Sequence, residues 1–131
     1  MAGTARQLHM QQTHYLRKRV NFNDAGVATG NLVGTMPAGA QIVDVTVNIT
    51  TAFNAVSTNV INVGTTTVGA EVAASAQVIA GTPGVKKPTA YYSLGVMAAD
   101  TDIWVSYTQT GTAATTGIGY VIVQYVPNND L

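Results

Sequence analysis

Charge is what this sequence has least of. Six basic and six acidic residues are all it carries, 9% of 131 positions, with a formal net charge of zero. An ordinary soluble domain has about 25%. A free monomer uses surface charge to stay apart from its neighbours. Here Thr, Asn, Gly, Ala and Val stand in its place, a composition that fits a surface covered by other molecules and points to assembly rather than catalysis. Cysteine is absent, which excludes disulfides, zinc–thiolate sites and thiol nucleophiles, and with them a small disulfide-stapled secreted scaffold. The first twenty residues contain no apolar h-region, so no signal peptide is expected. The most apolar stretch, 119–126, is interrupted by Gln124 and falls well short of the roughly 20 residues of a membrane helix. No membrane partner is expected.

Groups that carry chemistry are equally sparse. Histidine occurs only as His9 and His14, both in or beside a polar N-terminal stretch. A hydrolytic triad needs His beside a nucleophile and a carboxylate, and zinc needs further ligands. Both His therefore read as solvated or interface residues. Asp100 and Asp102 share a strand face or a loop edge, but no third carboxylate is near in sequence. They read as turn residues that also guard a strand edge. The Gly-bounded threonine run 64–69 lacks the Lys and the spacing of a phosphate loop and reads as a turn. Ser93 and Ser106 have no nucleophile-elbow context. Asn48-Ile49-Thr50 matches a glycosylation acceptor, which has no meaning without secretion. No catalytic residue, metal site or cofactor is expected, and the chain reads as a non-enzyme.

What is present is a strand-rich body. A hydrophobic fraction of 47% is normal for a globular protein, and the length suits one domain. Residues 1–14 read as an extended arm and 15–131 as the domain. The clearest strand is 41–50, where Val43, Val45, Val47 and Ile49 alternate with Asp44, Thr46, Asn48 and Thr50, the period of two of a half-buried strand. Residues 36–39 before it form a turn. Further strands are expected at 58–63 and 103–108. Another is expected at 119–126, apolar on both faces and so central, and ended by Pro127. Weaker strands are expected at 14–22, 30–35 and 91–97. Residues 109–117 read as a hairpin loop. Only 69–80 has the Ala content for a short helix. The turn spacing predicts an all-β antiparallel sandwich or barrel of about seven or eight strands.

Charge is also polarised along the chain. Arg6, Arg17, Lys18 and Arg19 lie in the first nineteen positions, and every acidic residue follows from Asp24 on. In a strand, Arg17 and Arg19 point one way and Lys18 the other. The cluster fits an acidic protein surface at least as well as nucleic acid, which three cations in a neutral protein barely support; no nucleic-acid partner is expected. Lys86-Lys87-Pro88 reads as a solvated loop. Trp104, Tyr91, Tyr92, Tyr107, Tyr120 and Tyr125 could form a sugar-binding face, though in β-sandwiches aromatics more often serve core and interface.

The run Phe22–Gly64 is more specific. It holds a short strand ending in the turn Pro37-Ala38-Gly39-Ala40, the alternating Val strand, Thr51-Ala52-Phe53-Asn54, and an Asn-rich strand closing on Val63-Gly64. Together with the final segment 117–126 (GIGYVIVQYV), it resembles the cement or head-decoration proteins of short-tailed bacteriophages over about Tyr15–Val126. The resemblance implies a jelly-roll fold, a place on the outer capsid surface of the virion after assembly in the host cytoplasm, and partners in the major capsid protein and in further copies of the chain as dimer or trimer. It offers no catalytic residues. The candidate docking residues are Arg6, His9, His14, Arg17, Lys18 and Arg19. The alternative is a head-fibre or tail-associated module that binds a receptor or glycan.

Overall fold

The computed structural model describes residues 12–128. Seven strands run in the order β1 (His14–Asn21), β2 (Asn31–Met36), β3 (Gln41–Thr51), β4 (Thr58–Gly64), β5 (Gly84–Lys86), β6 (Thr101–Thr110) and β7 (Ile118–Val126). They form a four-stranded sheet, β1-β7-β3-β5, and a three-stranded sheet, β2-β6-β4, with every named pairing antiparallel. Odd-numbered strands make one sheet and even-numbered strands the other. Each connection therefore crosses between layers, and no two consecutive strands pair. This alternation is that of a jelly-roll-like sandwich, as the resemblance implies.

The core lies between the sheets. From the first come Val20, Val45, Val47, Ile49, Val121 and Val123, and from the second Met36, Ile61, Val63, Ile103, Val105 and Tyr107, all essentially without solvent contact. β7 lies between β1 and β3 as its two apolar faces require.

The strand at 41–50 is found, with one change of face. Its register with β7 breaks between Ile42 and Asp44. This bulge buries Ile42 and turns Val43 outward, 45% exposed. A bulge inserts one residue and so reverses the alternation beyond it, which simple periodicity cannot show. Residues 91–97 are not a strand. Ala90–Ser93 forms a 3-10 turn, Gly95 has a φ of 62°, and only Val96 bridges back to Gln41. The stretch 69–80 is not a helix beyond the 3-10 turn Ser75–Gln77. Its backbone instead bonds the edge of β4, through Val63 N–H to the Ala73 carbonyl at 3.0 Å and Ala80 N–H to the Asn59 carbonyl at 2.9 Å. A strand edge that needs partners has overridden the helix preference of alanine. Residues 109–117 are not a hairpin: Gln109 and Thr110 continue β6, and the remainder crosses to β7 in the opposite sheet. The three-residue β5 goes unsignalled in the sequence.

Neutral side chains hold these crossings. Asn54 Oδ1 accepts from the backbone N–H of Thr115 at 2.7 Å and of Thr116 at 3.0 Å. Gln109 Oε1 accepts from Ala114 N–H at 2.8 Å, and Gln77 Oε1 accepts from Thr89 and Ala90 N–H at 3.2 Å each. Phe53, beside Asn54, packs on the Tyr107 ring with centroids 4.7 Å apart. It also covers Gly117, whose φ is 152° and where a Cβ would meet the Phe53 ring at 2.5 Å. Asp100 accepts from Ala38 N–H at 2.9 Å and Asp102 from the Thr35 hydroxyl at 2.6 Å, so Asp100 ties the 36–39 turn, and Asp102 the end of β2, to the start of β6.

Asn54→Ala removes the acceptor of two loop N–H groups at a partly hydrated site. It should cost about 1–2 kcal/mol in urea unfolding, with the native circular dichroism retained. The Tyr107 hydroxyl donates to Asn59 Oδ1 at 2.6 Å, and burial raises its pKa above the usual 10.0. Between the unfolded and folded values the native state holds the extra proton, so this stability is present below about pH 10 and is lost as pH rises further. Tyr107→Phe should be about 1 kcal/mol less stable at pH 7, with a shallower alkaline fall than the native chain.

Candidate docking surface

The basic cluster lies on β1, an edge strand. Its alternation sends Leu16, Lys18 and Val20 toward the sandwich interior and Tyr15, Arg17 and Arg19 outward. Leu16 packs where a Cβ on Gly34 of β2 would meet it at 2.8 Å, so the two sheets close tightly along this side. The outward residues belong to rows that cross the four-stranded sheet: Arg19, Tyr120, Asn48 and Val85; then Arg17, Ile122 and Thr46; then Tyr15, Gln124 and Asp44. The Arg17 guanidinium lies 4.5 Å from the Tyr120 ring centroid, a cation–π contact on the diagonal of the pairing grid. Arg19 Nε donates to Asn21 Oδ1 at 3.0 Å. His14 stacks on Tyr125 at 5.8 Å at the end of the inner face. Arg6 and His9 lie outside the described residues.

The structure thus brings Arg17 and Arg19 together on one face, puts Lys18 on the other, and holds His14 apart. Toward the other edge of the same outer face the charge is neutralised. Lys87 Nζ donates to Asp44 Oδ1 at 2.6 Å and to the Thr46 hydroxyl at 2.8 Å, the one salt bridge among the described residues. Lys87 keeps the exposed loop position expected from sequence, 54% accessible, while Lys86 ends β5.

An apolar patch surrounds the start of β3: Val43, Val96, Val126 and Tyr92 are 45%, 60%, 37% and 72% exposed. Val96 and Val126 pair with Gln41 from its two sides, and the Tyr91 hydroxyl donates to the Val43 carbonyl at 3.3 Å. Burial first, then Tyr92 and Asp44, raise the Tyr91 pKa. Sequence periodicity hid this patch because it placed Val43 in the core.

The aromatic residues share no common face. Tyr107 is core, Tyr120 lies under Arg17, Tyr125 is on the inner side of β7, and Trp104 belongs to the other sheet. Among the described residues no three His, Cys, Asp or Glu gather to hold a metal, and no helix is long and apolar enough to cross a membrane.

No protein-family profile matches the chain, and no curated protein matches it in sequence. Solved structures do. A chain of the Ralstonia phage GP4 capsid superposes with a TM-score of 0.62 at 18% identity, covering 99% of this chain and 92% of that one. The chain has the fold of a component of bacteriophage capsid structures. One from the cyanophage Pam1 capsid asymmetric unit gives 0.59 at 17% identity, covering 97% and 93%. One from the acidic stable capsid structure of Helicobacter pylori bacteriophage KHP30 gives 0.55 at 16%, covering 87% and 86%. Coverage this nearly equal on both sides means that the matched chains are single modules of about this size.

With one salt bridge to screen among the described residues, and that one on the surface, the thermal midpoint should move by no more than a few degrees between low and molar salt; calorimetry across a salt series checks this. Arg17→Ala should cost about 0.5–1 kcal/mol through the lost cation–π contact, read by chemical unfolding.

Proposed function

We propose that this chain is a structural protein of a bacteriophage virion: a cement or decoration protein that binds the outer capsid surface and reinforces contacts between major capsid proteins. The observation that carries the reading is the end-to-end likeness of its sandwich to similarly sized chains in three phage capsid structures. The role is architectural, without catalysis. Residues 1–14 act as a docking arm, and the contact residues are Arg6, His9 and His14 within it and Arg17, Lys18 and Arg19 on β1.

The physical requirements agree with this role. A shell under internal pressure needs added contact area across its joints. Many copies acting together need only modest affinity each, because linked contacts multiply. A surface of Thr, Asn and amide groups makes such contacts without burying unpaired charge, which is costly. The apolar patch around Val43 and Val96 gives copies of the chain a surface on which to associate as a dimer or trimer.

Deleting residues 1–13 should leave a folded protein that no longer sediments with purified empty capsids. Truncated protein that still saturates capsids would show that the arm is not the docking element.

A further inference from the structure

The two sheets have four lateral edges, and three of them are blunted. β5 is only three residues long. β2 has six residues and its register breaks between Leu32 and Gly34. The outer edge of β4 is covered by the chain around 72–80, with Ile61 N–H bonded to the Val78 carbonyl at 3.2 Å and Val63 N–H to the Ala73 carbonyl at 3.0 Å. β1 is different. It has eight residues in unbroken register with β7, and among the described residues no backbone pairs with its other side. An edge that is long, regular and, among the described residues, uncovered is a template for another strand.

Charge decides which strand fits. Arg17, Lys18 and Arg19 are consecutive on β1. Arg17 rests on an aromatic ring and Arg19 on an amide, partners that leave both positive charges uncompensated. A second copy of β1 is a poor occupant. Antiparallel pairing of two such strands in full overlap, His14 against Asn21, sets Arg17 opposite Lys18 twice, and directly opposed like charges destabilise a sheet. We propose that the β1 edge accepts an extended acidic segment of the capsid partner as a fifth strand of the four-stranded sheet. This deepens the docking reading above and rests on it for the source of the segment. The alternation of β1 sets the pattern of the segment: acidic side chains on the outer face beside Arg17 and Arg19, apolar ones on the inner face beside Leu16, the aliphatic stem of Lys18 and Val20, and no proline at bonding positions. Main-chain hydrogen bonds supply affinity and the alternating side chains supply selection.

The test uses the full chain and three synthetic ten-residue peptides: one alternating Glu and Val, the same with Gln for Glu, and the acidic one with a central proline. Fluorescence anisotropy should show the acidic peptide binding at least about tenfold tighter than the other two, its advantage over the Gln peptide shrinking with salt. Hydrogen exchange should slow at alternate backbone amides within 14–21. The double variant Arg17→Glu, Arg19→Glu, on an exposed face, should lose the acidic peptide; Arg17→Gln with Arg19→Gln serves if the reversal unfolds the chain. Equal binding of all three peptides, no binding at millimolar acidic peptide, or protection located away from β1 overturns the proposal. So does undiminished capsid binding by the double variant, which leaves the capsid reading intact. Peptide bound at β1 by a chain that ignores capsids supports the edge site and removes the capsid reading.

Discussion

The structure depends on one constraint: every connection between consecutive strands crosses from one sheet to the other. Sheets in a sandwich lie about 10 Å apart, so each crossing carries backbone that belongs to neither ladder. Such groups must find partners or remain with water. The chain meets this with neutral side chains. Asn54 and Gln109 both accept from backbone N–H groups of the loop between β6 and β7, Gln77 accepts from the segment before β6, and Asn59 holds Ala55 through both its amide atoms at 2.9 and 2.8 Å. The abundance of Thr and Asn is thus partly an internal requirement of the fold.

This places the scarcity of charge in a different light. Low charge says that the surface has little to keep it apart from other surfaces. The structure adds that loop fixation here relies mainly on amides and hydroxyls, with carboxylates at a few positions such as Asp100 and Asp102. The remaining charges have separate roles: Asp44 and Lys87 neutralise each other on one side of the four-stranded sheet, while Arg17, Lys18 and Arg19 leave the other side positive. A chain neutral in sum therefore presents a polar sheet with one cationic edge, and that asymmetry is what gives the proposed docking its direction.

Much of the fold was legible residue by residue. β3, β4, β6 and β7 follow from period-two patterns bounded by Gly and Pro, and the doubly apolar β7 was correctly read as central. Other elements were not legible, each for a physical reason. The bulge at Val43 adds a residue whose effect on facing depends on the partner strand. Residues 69–80 have helix-forming composition, yet the unfilled edge of β4 captures their backbone. Residues 91–97 look extended, but Gly95 and the Thr89–Leu94 turn bonds fold them back. The loop 109–117 looks like a hairpin because both flanking strands are strong, and nothing local reveals that they belong to different layers. Of the candidate docking residues, the facing of Arg17, Lys18 and Arg19 was readable from alternation, whereas Tyr120 beneath Arg17 comes from a strand a hundred residues away.

The sequence by itself determined the all-β class, the positions of the strong strands, the absence of thiol chemistry and the polarisation of charge, because these rest on composition and short-range periodicity. Tertiary structure alone decided which strands share a sheet, which edge stays open and where the apolar patch lies. Those outcomes depend on pairing between segments far apart in the chain, and a strand's own residues record which face it buries but not which neighbour it will have.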